Sequence, residues 1–420
     1  MKNNKTRALK ALVIKGFAAV SSLVSTMLII QSFSPQISSS ALTTLSLMFV
    51  ASVILRFGSD QMIVRKTARF NNDSGKTFAK YINLLVVLVS IATFTIAIII
   101  NNLLESKISD LTIFYIFAST CFYSLTQVNS YYLQGKNKIS LHLFFLNLGF
   151  NVLLSFYLKS TSFLKPNIEY SYENFAATLT ITCITLYIFS LINCRLFFPR
   201  NISRLRIERT IKINSNYHLF SSIQIILVWL PQLGLYFLGN SGEVAEFTLM
   251  HRISLIVGFV LISVTSIYTP IFANNIKNNN KNELEKNAHN LIVMSTTASL
   301  FFCVSLVFTI GYFFKLLDYS DYLRYDILII LFFGQIINSA TGPSLKLLQM
   351  GNEIRTARKI QTGVFLFALI ATLPLIITLN SIGAALLCCM IVSVANIMYS
   401  IYALKIYNIW PYYIGKYKKK

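Results

Sequence analysis

Residues 81–100 read YINLLVVLVSIATFTIAIII, with no charged side chain in the whole stretch. A helix rises about 1.5 Å per residue, so these residues alone span the roughly 30 Å of a bilayer's hydrocarbon core. Eleven further runs of the same character lie outward from it, near 9–30, 39–57, 111–133, 141–158, 175–198, 217–239, 247–272, 291–314, 325–348, 359–379 and 383–404. Twelve such runs predict an all-α polytopic membrane protein. With 55% hydrophobic and 12% charged residues, and gaps of about twenty-five residues at most, the chain leaves no room for a separate catalytic domain in a loop. The first run carries Lys10 and Lys15 and ends without a small-x-small site, so it is expected to stay as a membrane helix and not to be cleaved as a signal peptide.

The net charge of +22 would suit a nucleic-acid binder, but its distribution points to a membrane. Of the 37 Lys and Arg residues, 31 fall in the N-terminal stretch, the even-numbered gaps and the C-terminal stretch, counting helix-edge residues such as Lys15, Arg56, Arg195, Lys346 and Lys405. The odd-numbered gaps hold only Lys107, Lys159, Lys165, Lys315 and Arg324, and Arg252 lies inside a run. The positive-inside rule then puts both termini and the 199–216 stretch in the cytoplasm, consistent with an inner-membrane protein. No nucleic-acid partner is expected. The basic loops face membrane lipids, which they would attract where anionic. The six cysteines all lie in apolar runs and read as small buried hydrophobes, while His142, His218, His251 and His289 lack ligand spacing.

The runs divide six and six around PRNISRLRIERTIKINSN at 199–216, whose mixed pattern suits an amphipathic helix on the inner leaflet. The expected organisation is an N-terminal lobe at 1–198, a linker at 199–216, a C-terminal lobe at 217–405 and a basic tail at 406–420. Two like-oriented six-helix lobes would enclose a central cavity.

Several runs carry polar stripes. Ser119, Tyr123, Thr126, Ser130 and Gln134 align on the fourth run; Gln335, Ser339, Gly342 and Lys346 align on the tenth, with Asn338 beside them. Such stripes face a neighbouring helix or a wet interior, because lipid offers no hydrogen bonds. Pro231 in Trp229-Leu-Pro-Gln232 and Pro374 mark expected kinks. A cation deep in a bilayer costs about 2.5–3.5 kcal/mol on insertion scales. Arg252, about six residues inside the eighth run, is therefore the sharpest candidate for a binding group, followed by Lys15, Arg56 and Lys346; snorkelling to the interface is the alternative for each. Arg56 precedes Asp60 by four residues, so the two are expected to pair on a helical continuation. No Asp or Glu lies at the centre of a run, which disfavours a cationic cargo and suits an anionic, sugar-rich one. Arginine would grip phosphate oxygens, and Gln232, Gln335 and Asn338 would contact sugar hydroxyls.

Four stretches then carry a resemblance: LKALVIKGFAAVSSLV at 9–24; Gly58-Ser-Asp60-Gln-Met-Ile-Val-Arg65-Lys; Gly242-Glu-Val-Ala-Glu-Phe with His251-Arg252-Ile; and GQIINSATGPSLKLLQMGNE at 334–353. In this order the chain resembles the Wzx-type polysaccharide flippases of the multidrug/oligosaccharidyl-lipid/polysaccharide (MOP) exporter superfamily. The resemblance implies alternating access and carriage of an undecaprenyl-pyrophosphate-linked oligosaccharide to the periplasmic leaflet. It also implies a cavity lined by basic residues at Lys15, Arg56 and Arg252, and a polysaccharide polymerase as a downstream partner. No cofactor and no catalysis are implied, and the sequence leaves open whether H⁺ or Na⁺ drives the cycle. A cation-coupled drug exporter of the same superfamily is the first rival reading; a membrane O-antigen polymerase or ligase is the second, disfavoured by the short external gaps.

Overall fold

A computed structural model describes residues 2–69, 72–103, 109–164, 171–196, 204–351 and 353–409. Its helices are α1 Lys2–Ser32, α2 Pro35–Leu55, α3 Asp60–Arg69, α4 Asn72–Leu103, α5 Asp110–Gly135, α6 Ile139–Leu143, α7 Gly149–Leu164, α8 Tyr172–Cys194, α9 Arg204–Leu238, α10 Val244–Lys277, α11 Lys281–Leu316, α12 Tyr325–Thr341, α13 Ser344–Met350 and α14 Ile354–Tyr407. Among the described residues, nine helices are long and apolar enough to cross a membrane, or ten when the bent pair α12–α13 is taken as one span. One of the nine, the 54-residue α14, contains a non-helical residue at Asn380 (φ 46°, ψ −121°) and so carries the last two apolar runs; α10 carries the eighth. The protein is thus an all-α polytopic membrane protein.

Local chemistry fixes the helix limits. Pro35 opens α2, where its missing N–H costs nothing. Ser109 and Ser171 accept from the Thr112 and Asn174 amides and so cap α5 and α8. Asn280 caps α11 through Glu283 N in the same way. The second stretch of α14 is started from outside itself: the Glu243 carboxylate accepts from Ser381 N at 3.1 Å, and Asn240 N donates to Asn380 Oδ1 at 3.2 Å. A carboxylate at exposed helix-start amides is favoured by both hydrogen bonding and the helix dipole.

The chain forms two compact units, Met1–Trp229 and Leu230–Lys420. In the first, α5 packs most extensively on α8 and α4. Its seam with α8 is stitched by Thr180 Oγ1 to Tyr115 O at 2.8 Å and Asn129 Nδ2 to Ser190 Oγ at 2.8 Å. Hydroxyls and amides of this kind bind membrane helices where apolar contact alone gives no preference over lipid. The first stretch of α9 belongs to this unit: Trp229 stacks on Phe49 with ring centroids 5.5 Å apart, and Phe49 also meets Tyr123 and Phe150. In the second unit α12 packs on α14, α10 and α11. There Ser299 Oγ lies 2.7 Å from Ser339 Oγ, and Ser295 Oγ donates to Ser339 O.

The structure differs from sequence expectation in two places. Residues 204–216 form no separate surface helix; α9 runs unbroken from Arg204 through Pro231 to Leu238, and the unit boundary falls inside it. Residues 199–203 of the expected linker, and 410–420 of the tail, lie outside the described residues. Pro374 sits inside a helix whose recorded backbone break is six residues later, at Asn380.

Candidate functional site

The first unit gathers its charged groups where α2 turns into α3. Phe57 (φ 51°) and Gly58 (φ 60°) are both left-handed, so the chain reverses between the helices. A Cβ at Gly58 would also lie 2.3 Å from His218 N, so only glycine lets α9 rest on this elbow. Phe57 packs against the His218 ring at 5.4 Å. Across the elbow Arg56 Nε and Nη2 donate to Asp60 at 2.9 and 3.2 Å, while Nη1 donates to Ser52 O and Ser52 Oγ at 2.9 and 3.2 Å. The pair expected from the sequence does form, but across a reversal, not along a helix. Arg56 is buried and its donors are taken by Ser52 and Asp60, so its role here is to lock the elbow.

Around that pair stand groups from three further helices. Tyr131 of α5 lies within electrostatic reach of Asp60 and Arg56. His142 of α6 lies within electrostatic reach of both Asp60 and Lys15. Its Nδ1 is 2.8 Å from Ser130 Oγ, which donates to His142 O at 2.9 Å. Lys15 is half-buried on α1. Asp60 and Arg56 thus lie near His142, with Lys15 within electrostatic reach of the same ring.

The polar stripe on the fourth run is spent inside this unit. Phe144–Leu148 form a π-helical turn between α6 and α7, which shifts the backbone carbonyls out of the regular ladder. Gln127 Nε2, adjoining the stripe, donates to Phe145 O at 3.3 Å, and Ser130 binds His142. Of the stripe itself, Tyr123 and Ser130 reach across to Leu146 O and His142, whereas Ser119 and Thr126 bond within α5.

In the second unit Arg252 sits half-buried on α10, beside the buried His251, whose ring stacks on Phe247 at 5.7 Å. The only carboxylate on α10 is Glu246. It accepts from Arg324 Nη1 at 2.9 Å, and Arg324 Nη2 also binds Asp326 at 2.8 Å. Asp326's hydrogen bond foremost, against the opposing pull of burial and with help from Glu246, holds the Arg324 guanidinium above its ordinary pKa. Six residues turn a helix by about 600°, so Glu246 and Arg252 point to different sides of α10.

Gln335 and Asn338 are brought together: Asn338 Nδ2 donates to Gln335 Oε1 at 3.4 Å. A Cβ on Gly258 of α10 would stand 3.0 Å from that same Oε1, so the amides lie directly against α10. Gln232 is buried one residue after Pro231. Lys346 does not share the face predicted for it. The chain bends 45° between α12 and α13 at Gly342 (φ 67°), and Lys346 instead donates to Gln349 Oε1 at 3.1 Å on the exposed surface. Ser339, on the predicted stripe, turns to α11.

Sequence reasoning missed Asp60, Tyr131 and His142 as members of one cluster. The signal was the glycine between Arg56 and Asp60, which marks a reversal able to fold a carboxylate back toward the bundle.

No protein-family model and no curated protein sequence matches the chain. Solved structures do match its fold. The lipid II flippase MurJ in an inward closed conformation superposes with a TM-score of 0.70 at 16% identity, covering 94% of this chain and 86% of that one. An inward-facing multidrug-resistance MATE transporter of the MOP superfamily gives 0.67 at 14% identity, covering 96% of this chain and 98% of the other. A MOP-superfamily transporter from Pyrococcus furiosus, described with a binding pocket of reversed polarity, gives 0.63 at 11% identity over 96% and 94%. The chain therefore has the fold shared by MOP-superfamily transporters and flippases.

Proposed function

We propose that the protein is a flippase that carries an undecaprenyl-pyrophosphate-linked oligosaccharide, of O-antigen or capsule type, from the cytoplasmic to the periplasmic leaflet of a bacterial inner membrane by alternating access. Both termini are cytoplasmic in this reading, and the chain acts as two six-helix halves. The observation that carries it is Arg252, a guanidinium half-buried on a membrane helix. A guanidinium in that setting suits a diphosphate, to which it offers a planar pair of donors. Lys15 adds a second positive charge, and Gln232, Gln335 and Asn338 supply amides for sugar hydroxyls. Arg56 and Lys346 act at a distance from the cargo, the first through the elbow and the second at the surface. The fold-level neighbour that flips a lipid-linked precursor supports this cargo class. No bond is made or broken in the cycle, and a polysaccharide polymerase would take the product.

A second reading, a cation-coupled drug exporter, is favoured by one observation: Asp60 stands in the Lys15–His142–Tyr131 cluster, where a carboxylate could exchange a proton or Na⁺. The same cluster would serve as the coupling site of a flippase. A polymerase or ligase has no comparable support.

A strain lacking the gene decides between them. Loss of surface polysaccharide with repeat units accumulating on the cytoplasmic side, restored by the wild-type gene, is the expected result. Unchanged polysaccharide together with new drug sensitivity would replace the flippase reading by the exporter.

A further inference from the structure

The two antiparallel stretches of α14 leave a groove of about 270 Å³ between residues 356–367 and 394–402, wholly within the second unit. Its floor is made by the buried Ile360 and Val364 and by Gly363. A Cβ built on Gly363 meets nothing within 4 Å, so the groove has a notch where any other residue would project. Phe367 and Met398, each 36% exposed, form the apolar walls. Beyond them the same side of α14 continues through Leu366, Ile370, Leu373 and Ile377, all exposed, with Ile370 at 76%. An apolar face of that extent on a membrane helix is lipid-facing.

One end of the groove is polar and cationic. Lys359 is exposed at its mouth, with Thr356 beside it and Tyr402 opposite. Arg355 lies one helical turn before Lys359 and on the same face. After Asp326 the sequence holds a single carboxylate, Glu353, and it already accepts from Thr356 Oγ1 at 3.0 Å. The groove therefore runs from a cationic turn at the membrane surface into an apolar slot one missing side chain wide.

We propose that this groove is a binding site for an anionic glycerophospholipid. Its phosphate sits at Lys359 and Arg355, within reach of the Tyr402 hydroxyl, and one linear acyl chain lies along Gly363 between Phe367 and Met398. Basic pockets between membrane helices at the interface select anionic headgroups in this manner. A notch set by one absent side chain suits an unbranched acyl chain better than a methyl-branched polyprenyl one. The site is independent of what the protein transports.

The test uses the purified full chain in detergent, titrated with dioleoylphosphatidylglycerol or dioleoylphosphatidylcholine and read by native mass spectrometry. One charge-assisted contact of about 1.4 kcal/mol gives a preference of about tenfold for phosphatidylglycerol. Lys359→Gln should bring that ratio close to one, and Lys359→Arg should keep it. Gly363→Phe fills the notch and should lower retention of both lipids with an unchanged melting temperature, because its Cβ meets nothing. Met398→Trp closes the same slot from the opposite wall and should do likewise. Equal retention of the two lipids by the wild type overturns the proposal. So does a preference that survives both Lys359→Gln and Gly363→Phe, or displacement of phosphatidylglycerol by an equal concentration of undecaprenyl phosphate.

Discussion

Arg56 and Arg252 both lie near the edge of an apolar run, yet the two units treat them differently. Arg56 is closed on Asp60 and Ser52, across a turn that only Gly58 permits. Arg252 stands on a helix whose single acid points elsewhere and is held by Arg324. The lesson is that a cation retained near the membrane has two uses. One holds a backbone reversal in place, and its charge is cancelled at home. The other stands half-buried along a membrane helix, where a migrating anion could meet it.

The comparison breaks most visibly at the buried pair. Removing one partner of a buried ion pair leaves the other charge without compensation, which costs about 3–5 kcal/mol. Asp60→Ala and Arg56→Ala should each lower thermal stability in detergent by that order, and Arg56→Met with Asp60→Leu should recover most of it. Thermal unfolding followed by fluorescence-detected size exclusion measures this. If Arg56→Ala instead remains as stable as wild type while export stops, the elbow role assigned to Arg56 is wrong and it belongs with Arg252.

Arg252 should show the opposite pattern. Hydrogen bonds to charged groups contribute about 1.5–3 kcal/mol, so losing the guanidinium should weaken cargo binding roughly 10- to 100-fold. Arg252→Ala should then fail to restore surface polysaccharide in a deletion strain at normal protein level, and Arg252→Lys should restore part of it. Full restoration by the alanine variant would remove Arg252 from the cargo path. A third substitution tests the elbow without touching charge. Gly58→Ala forces a side chain into left-handed backbone and against His218 N, and backbone strain of this kind costs about 1–3 kcal/mol. Stability should fall by at least that much, with the Arg56–Asp60 pair intact; a neutral result would mean that α9 does not rest on the turn.

The helices were legible because bilayer thickness imposes one length on every run, and among the described residues each run is largely helical, the fifth interrupted by a π turn and the tenth by a bend. Turn residues were legible only in part. Gly342-Pro343 looked like part of a stripe because helical spacing was carried straight through it, and a 45° bend then took Lys346 off the face. Ser119 to Gln134 aligned as predicted, but periodicity cannot say what a stripe faces. It meets a π turn, which no periodic pattern announces. Asp60 was legible as the partner of Arg56, but not as a neighbour of Tyr131 and His142, because it lies outside every apolar run. That neighbourhood joins α3 to α5, whose Tyr131 lies 71 positions later in the sequence.

The smallest effect expected is at Arg324. It carries two ion pairs, more than Arg56, but its side chain is 33% exposed, against 5% for Arg56. Exposed pairs contribute about 0–1 kcal/mol because water screens them and ordering the side chains costs entropy. Its raised pKa adds no pH dependence near neutrality: that stabilisation is complete below the ordinary arginine value and is lost only as pH climbs through the raised one. Arg324→Gln should therefore lower stability by no more than about 1 kcal/mol, and 1 M salt should erase most of the difference by shortening the screening length to about 3 Å. A loss as large as that of Asp60→Ala, unmoved by salt, would show that Arg324 is shielded in the membrane-embedded protein. The contrast between a closed pair in one unit and an exposed one in the other would then fail on burial, the ground on which it stands.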